Sequence, residues 1–352
     1  MPAISLENLS KSFTVKTGKV SANADKPGAT GGGATLFSAL PFLSRSSREV
    51  VAVDSVSLSV DEGESVAFIG PNGAGKSTTI KMLTGILTPT SGSAKVLGFT
   101  PWKQRTALAM RIGAVFGQRS QLWYHLPPGD SFELLRRIYS IDRCQFVRRR
   151  DALIERFNMQ GFLDTPVRKL SLGQRMRCEV AASLLHFPSV LFLDEPTIGL
   201  DVIARQELRE LIREWNREEG ITVFLTSHDA GDIESVARRV VIINHGRIVI
   251  DDRVSTVKRT YLRSKVIAVK FHGQAGAFEL PGVKILKSSS HAMKLEVDTD
   301  LSAIDLVMAK VMAAGEVADI TIENPPLEEV IAHIYGRPSD LEDRAEPGEG
   351  PR

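Results

Sequence analysis

The chain opens on alternation. Ile4, Leu6 and Leu9, with Phe13 beyond them, predict a first strand, and Val51, Val53, Val56, Leu58 and Val60 predict a second. The second runs into an Asp61-Glu62-Gly63-Glu64 turn. Between them residues 16–49 change character, with Gly28, Gly31, Gly32 and Gly33 among small and polar residues, and read as a flexible insertion. Inside it the apolar stretch Leu36–Leu43 precedes Arg45 and Arg48. It reads first as a turn of helix on the domain surface, and second as a contact with a membrane or membrane subunit.

Short apolar runs then alternate with helical patterns. Val66–Ile69, Ile112–Phe116, Val190–Leu193, Ile221–Leu225 and Val240–Ile243 predict buried strands. Helices are expected near 76–86, 131–140, 172–186, 203–218 and 230–237. That order implies an α/β fold, a mostly parallel sheet with helices on both faces. Beyond about residue 255 strands are expected at 265–271, 282–287 and 291–298, then a helix from Ala303 to Ala314. This helix places Ile304, Val307, Met308, Val311 and Met312 on one face. A strand at 317–323 and a helix at 326–335 would complete a second, α+β domain over 255–337, with 338–352 read as a disordered tail.

Composition narrows the class. The 352 residues are 43% hydrophobic and 24% charged, as in ordinary globular domains, and a net charge of +2 argues against a dedicated nucleic-acid binder. Cys144 and Cys178 have neither metal-ligand nor disulfide spacing, and fit a reducing compartment as small apolar residues. No stretch reaches the roughly 18 apolar residues of a membrane span, and the N-terminus has no signal-peptide core.

The chemistry is concentrated in Gly70-Pro71-Asn72-Gly73-Ala74-Gly75-Lys76-Ser77, the P-loop pattern, followed by Thr78. Its glycines let backbone N–H groups turn toward a phosphate at the positive end of a helix. Lys76 neutralises the outer phosphates, and the Ser77 hydroxyl is a Mg²⁺ ligand. Average residue usage puts the chance of this pattern in such a chain at about 1%. The predicted strand before it and helix after it supply the context a P-loop requires. Further on, the strand Val190–Leu193 ends in Asp194 and Glu195. At the same end of a parallel sheet as the P-loop, Asp194 is placed to hold the metal and Glu195 to polarise an attacking water. Alone, the pair would equally be an acidic turn.

Five further segments, which follow one another along the chain in the family's order, resemble the motifs of ABC ATPases. Leu170-Ser171-Leu172-Gly173-Gln174 is similar to the signature motif, Gln118 to the Q-loop glutamine and Ile198-Gly199-Leu200-Asp201 to the D-loop. Thr226-Ser227-His228-Asp229 resembles the switch-histidine segment, and Phe13 stands where the family stacks an aromatic ring on adenine. The likeness spans residues 3 to about 252. Leu172 departs from the usual glycine, while Ser171 and Gly173 remain. The resemblance implies ATP and Mg²⁺ as ligands, an ATP-binding domain over 1–254 and a helical subdomain over about 105–185. It implies Glu195 and His228 as catalytic groups, and Ser77, Gln118 and Asp194 around the metal. It also implies that Ser171, Gly173, Gln174 and Asp201 meet the ATP of a second ATPase subunit in a head-to-tail sandwich. The partners would be integral membrane permease subunits, with the chain peripheral at the cytoplasmic face of the membrane.

The C-terminal run Glu316–Glu323, followed by Pro325-Pro326-Leu327-Glu328-Glu329-Val330-Ile331, resembles the extension of ABC-2-type exporter ATPases. Val115–Trp123 and Arg48–Asp54 resemble a viologen-exporter-like subgroup. An importer ATPase is the alternative within transport. A soluble ABC ATPase acting on nucleic acid or ribosomes stands further back, because one cassette without sustained heptads does not suit it. Arg136, Arg137, Arg143, Arg148, Arg149, Arg150 and Arg156 read as a solvated face, or as a surface drawn to anionic lipid headgroups.

Overall fold

The computed structural model describes residues 2–17, 46–117, 120–261, 264–276, 278–299 and 301–323. Gln118, the Leu36–Leu43 stretch, the expected helix at 326–335 and the tail lie outside the described residues.

Strands β1 (Pro2–Thr17) and β2 (Ser46–Asp61) form a long antiparallel ladder that pairs Phe13 with Val50 and Thr17 with Ser46. The expected insertion at 16–49 is therefore shorter, because the ladder continues into both of its ends. After β3 (Ser65–Ile69) and helix α1 (Lys76–Leu83), β4 (Ser91–Val96) joins the other edge of β1, giving the order β2-β1-β4. β4 was not expected. Only Ala94 and Val96 of its six residues are buried, too short an alternation to stand out among Ser, Gly and Lys.

Next come α2 (Arg105–Ala109), β5 (Ile112–Phe116), α3 (Pro128–Ile138), α4 (Arg143–Arg156) and α5 (Leu172–Leu184). They lead into β6 (Val190–Asp194), α6 (Val202–Glu219), β7 (Thr222–Ser227), α7 (Ala230–Val236), β8 (Arg239–Asn244) and β9 (Arg247–Arg253). The central sheet has the order β5-β6-β7-β3-β8-β9, parallel except for the β8–β9 pair. β3 and β7 are buried along their whole length, which is why they read as unbroken apolar runs.

Helix α4 carries five of the arginines read as a solvated face and was missed as an element. Asp142 caps it by accepting from the Cys144 and Gln145 N–H groups. Arg149 is not solvated: it is buried, its Nε donates to the Leu184 carbonyl and its guanidinium pairs with Glu219 of α6. Other members of that cluster also have acidic partners, Arg136 with Glu133 and Arg156 with Glu218.

The chain continues through α8 (Val254–Tyr261), β10 (Ser264–Phe271), β11 (Val283–Ser289), β12 (Ala292–Asp298), α9 (Ile304–Ala313) and β13 (Val317–Glu323). Val254 and Val257 of α8 pack with Ala67, Ile69 and Val240 of the central sheet, so the expected boundary at 254 falls inside a helix tied to that core. β10 to β13 form a separate antiparallel sheet, β11-β12-β10-β13, with Val307 and Val311 of α9 buried against it. Met312, expected on that face, is exposed. At 3.6 residues per turn Val307 and Val311 define the buried stripe, and Met312 is a further 100° round. No described helix is long and apolar enough to cross a membrane.

Candidate functional site

The loop between β3 and α1 curls around a cleft of about 980 Å³. Two glycines make the curl possible. A Cβ on Gly70 would lie 2.3 Å from the Ile243 carbonyl oxygen, and Gly75 has φ +108° with the Ala52 carbonyl 2.4 Å from where its Cβ would be. The Ala74 carbonyl accepts from the Gly246 N–H at 3.1 Å, which fastens the loop to the turn after β8. Gly70, Pro71, Asn72, Gly73, Gly75, Lys76, Ser77 and Thr78 all line the cleft, whereas Ala74 is buried behind it.

Lys76 is buried and its ammonium donates to the Gly70 and Pro71 carbonyls at 2.7 and 3.2 Å. Burial pushes its pKa below the usual lysine value, and the Glu195 and Asp194 carboxylates oppose that shift. Its Nζ is 4.0 Å from Glu195 Oε1. The Ser77 hydroxyl donates to Asp194 Oδ1 at 3.2 Å, and the Thr226 hydroxyl donates to the same oxygen at 2.6 Å. A hydroxyl and a carboxylate side by side at the phosphate loop are the hard oxygen donors that suit Mg²⁺. Among the described residues no group of three or more His, Cys, Asp or Glu is placed to hold a metal ion.

Glu195 follows β6 with φ +52°, a left-handed conformation that is uncommon for a residue with a side chain. Its N–H is held by the Thr226 carbonyl at 3.1 Å and the Thr226 hydroxyl at 3.2 Å. The turn leaves its carboxylate in the cleft, with His228 Nδ1 3.7 Å from Oε1. Behind this pair lies a charged lattice that the sequence reading missed. Asp232, fully buried, accepts from Ser227 Oγ and Arg209 Nε, both at 2.6 Å, and from the Thr197 hydroxyl. Asp229 accepts from Arg205 and Arg209, and Arg205 also donates to the Leu200 carbonyl. Arg205 and Arg209 four apart on α6, facing Asp229 at the N-cap of α7 and Asp232 three residues on, were the signal in the sequence.

The remaining expected residues are dispersed. Ser171 caps α5, accepting from the Gln174 N–H while the Gln174 side chain accepts from the Ser171 N–H. Gly173 is in the first turn of α5, and Asp201 caps α6 by accepting from the Ala204 N–H. None of the four lines the cleft. Phe13 also stands outside its lining, 39% exposed on β1 with Lys11 Nζ 5.4 Å from its ring centroid.

The geometry is that of a nucleoside-triphosphate site, and comparison with known proteins fixes the family. The family model described as "ABC transporter" matches residues 53–198. The daunorubicin resistance ATP-binding protein DrrA3 of Streptomyces coeruleorubidus is 31% identical over 291 residues, covering 81% of this chain and 91% of that protein. The chain belongs to the ABC transporter family. The bacitracin transport ATP-binding protein BcrA of Bacillus licheniformis is 30% identical over 275 residues, 74% of this ABC chain and 89% of the relative. Among solved structures, a dimeric post-hydrolysis state of an ATP-binding cassette with ADP and Pi superposes with a TM-score of 0.57. It is 22% identical and covers 71% of this chain and 98% of its own. This likeness shows that the ABC ATPase fold is shared. Like its family, this ABC chain is an ATP-binding and ATP-hydrolysing transporter subunit.

Proposed function

We propose that the chain is the motor of an ABC-2-type exporter, hydrolysing ATP beside separate membrane-spanning permease subunits at the cytoplasmic face of a membrane. The observation that carries the chemistry is the convergence of Lys76, Ser77, Asp194, Glu195 and His228 on one cleft. Lys76 holds the outer phosphates, Glu195 accepts the proton of the attacking water, and His228 donates to the terminal phosphate. Ser77 and Asp194, with Gln118, would hold Mg²⁺, which would shield charge on the phosphate oxygens. Phe13 offers the adenine a platform.

Ser171, Gly173, Gln174 and Asp201 do not line their own cleft, which suits a role toward the ATP of a facing subunit. Two subunits would close head to tail over two ATP molecules, and loss of the terminal phosphate would reopen them. The export reading rests on relatives that match across 74–81% of the chain and are named for daunorubicin resistance and bacitracin transport. The unit built from β10–β13 and α9 serves as an accessory domain, and the cargo is a small molecule chosen by the permease.

The test is to purify the tagged chain from detergent-solubilised membranes and identify what accompanies it. Recovery with a polytopic membrane protein that stimulates its ATPase activity supports the motor role. Recovery from the soluble fraction only, with no membrane protein, overturns it.

A further inference from the structure

Glu179 lies two turns into α5, downstream of the Ser171 cap, and is 3% exposed. One carboxylate oxygen accepts from the Ser120 hydroxyl and the other from the Gln121 N–H at 3.0 Å. The Gln121 side-chain amide in turn donates to the Glu179 carbonyl at 3.1 Å. Three hydrogen bonds therefore fasten one two-residue segment to the helix that begins at Ser171. A carboxylate in the interior is expensive, and burial pushes the Glu179 pKa up while the bonds from Ser120 and Gln121 hold it down. An apolar residue would fill this place more cheaply, so the carboxylate is there to grip.

What it grips is the far limb of the loop that leaves β5. The near limb touches the reaction centre. The Gly117 N–H donates to the Asp194 carbonyl at 2.9 Å, and a Cβ on residue 117 would lie 2.6 Å from the Glu195 carbonyl oxygen. One short loop thus rests at its start on the backbone of Asp194 and Glu195, and at its end on α5.

We propose that Glu179 is a positioning residue that yokes this loop to α5, so that a shift at one ATP's phosphate end moves the Ser171 terminus facing the other ATP. The proposal rests on the head-to-tail reading above. It concerns the rate of hydrolysis and leaves the affinity of a single site for nucleotide untouched.

The experiment uses the full chain with MgATP, and compares Glu179→Ala, Ser120→Ala, their combination and Glu179→Gln. Both single alanine variants should lower kcat about tenfold, the size of one hydrogen bond to a charged group. Their affinity for a fluorescent ATP analogue should stay at the wild-type value. The combination should be no slower than Glu179→Ala, because the two act through one contact. Glu179→Gln should recover most of the rate, since its amide still reaches the segment. Wild-type kcat in Glu179→Ala, or a parallel loss of nucleotide affinity, overturns the proposal, as do additive effects. If Glu179→Ala does not fold, Ser120→Ala carries the same test alone. Lys76→Ala separates the layers. Hydrolysis surviving in it overturns the site reading and the proposal together, whereas an inactive Lys76→Ala beside a normal Glu179→Ala overturns the proposal only.

Discussion

The Arg149 guanidinium lies 4.4 Å from the Trp215 ring centroid, and its Nη2 donates to Glu219 Oε2 at 2.8 Å. A charge from α4 is thereby sandwiched on α6, with the Phe187 ring 4.5 Å from the same guanidinium. The contact fixes α4 to α6, the helix that Asp201 caps.

Arg149→Ala should therefore destabilise the fold by about 3 kcal/mol, the range seen when one partner of a largely buried ion pair is removed. The loss combines an unpaired Glu219 with space left beside Trp215. Urea denaturation measures it. Arg149→Met, which fills the space without the charge, should recover part of the stability. An Arg149→Ala variant as stable as wild type would return Arg149 to the solvated face that the sequence suggested.

His186 gives the fold an acid limit. Its ring stacks on Tyr139 with centroids 3.9 Å apart, and its Nε2–H donates to the Ile112 carbonyl at 2.9 Å. Burial, more than the nearby Arg149 charge, lowers its pKa to about 4 from 6.5. Because the folded pKa lies below the unfolded one, folding favours the neutral ring. The stability is complete above about pH 6.5 and is lost as pH falls toward 4, where the unfolded chain binds a proton that the folded chain refuses. Between pH 7 and pH 5 the loss should be about 2 kcal/mol. His186→Gln keeps a donor for Ile112 and should flatten that dependence, read from urea midpoints at the two pH values. Equal pH slopes in the two proteins would show that another group sets the acid limit.

The sequence revealed the fold where burial made the pattern simple. β3, β5, β6, β7 and β8 stood out because both faces of a parallel sheet are covered and each reads as an apolar run. α4 did not, because its buried residues Phe146, Arg149 and Leu153 include an arginine that hydropathy counts as exposed. The cleft was legible from residue order around the P-loop, which named Lys76, Ser77, Asp194, Glu195 and His228 together. Glu179 was not, since nothing in its neighbours tells a buried carboxylate from a solvated one. Only the chain crossing above it, at Ser120 and Gln121, makes the difference.

Thr226 was read only as part of a motif, yet its hydroxyl donates to Asp194 Oδ1 at 2.6 Å and also caps the Glu195 N–H. Thr226→Val keeps the shape and removes that hydroxyl, leaving the backbone bond from Glu195 N–H to the Thr226 carbonyl. Asp194 would lose the donor that aims it at the metal position. Hydrolysis should fall about tenfold at limiting Mg²⁺, the size of one hydrogen bond to a charged group, and recover as Mg²⁺ is raised. A Mg²⁺ titration at saturating ATP reads the shift. An unchanged half-saturation would mean that Thr226 supports the strand and not the metal.

Glu195 carries the central prediction. Its left-handed backbone, the two bonds from its N–H to Thr226 and the Lys76 ammonium 4.0 Å from Oε1 hold one carboxylate at the mouth of the phosphate loop. Glu195→Gln preserves the size and most of the hydrogen bonding, and removes the basic oxygen. Hydrolysis should fall by roughly 10²–10⁴-fold, the contribution of a positioned general base. Nucleotide affinity should persist, because Lys76 and the loop N–H groups are intact. With the terminal phosphate kept in place, the variant should accumulate as a closed dimer in MgATP and run as a monomer without it. Adding Ser171→Arg should then abolish the dimer, because a bulky cation would stand where α5 of one subunit meets the ATP of the other. Size-exclusion chromatography with light scattering follows both steps, alongside phosphate release. Wild-type turnover in Glu195→Gln would remove it from the chemistry. A variant that stays monomeric at saturating MgATP would instead leave the site intact and remove the sandwich.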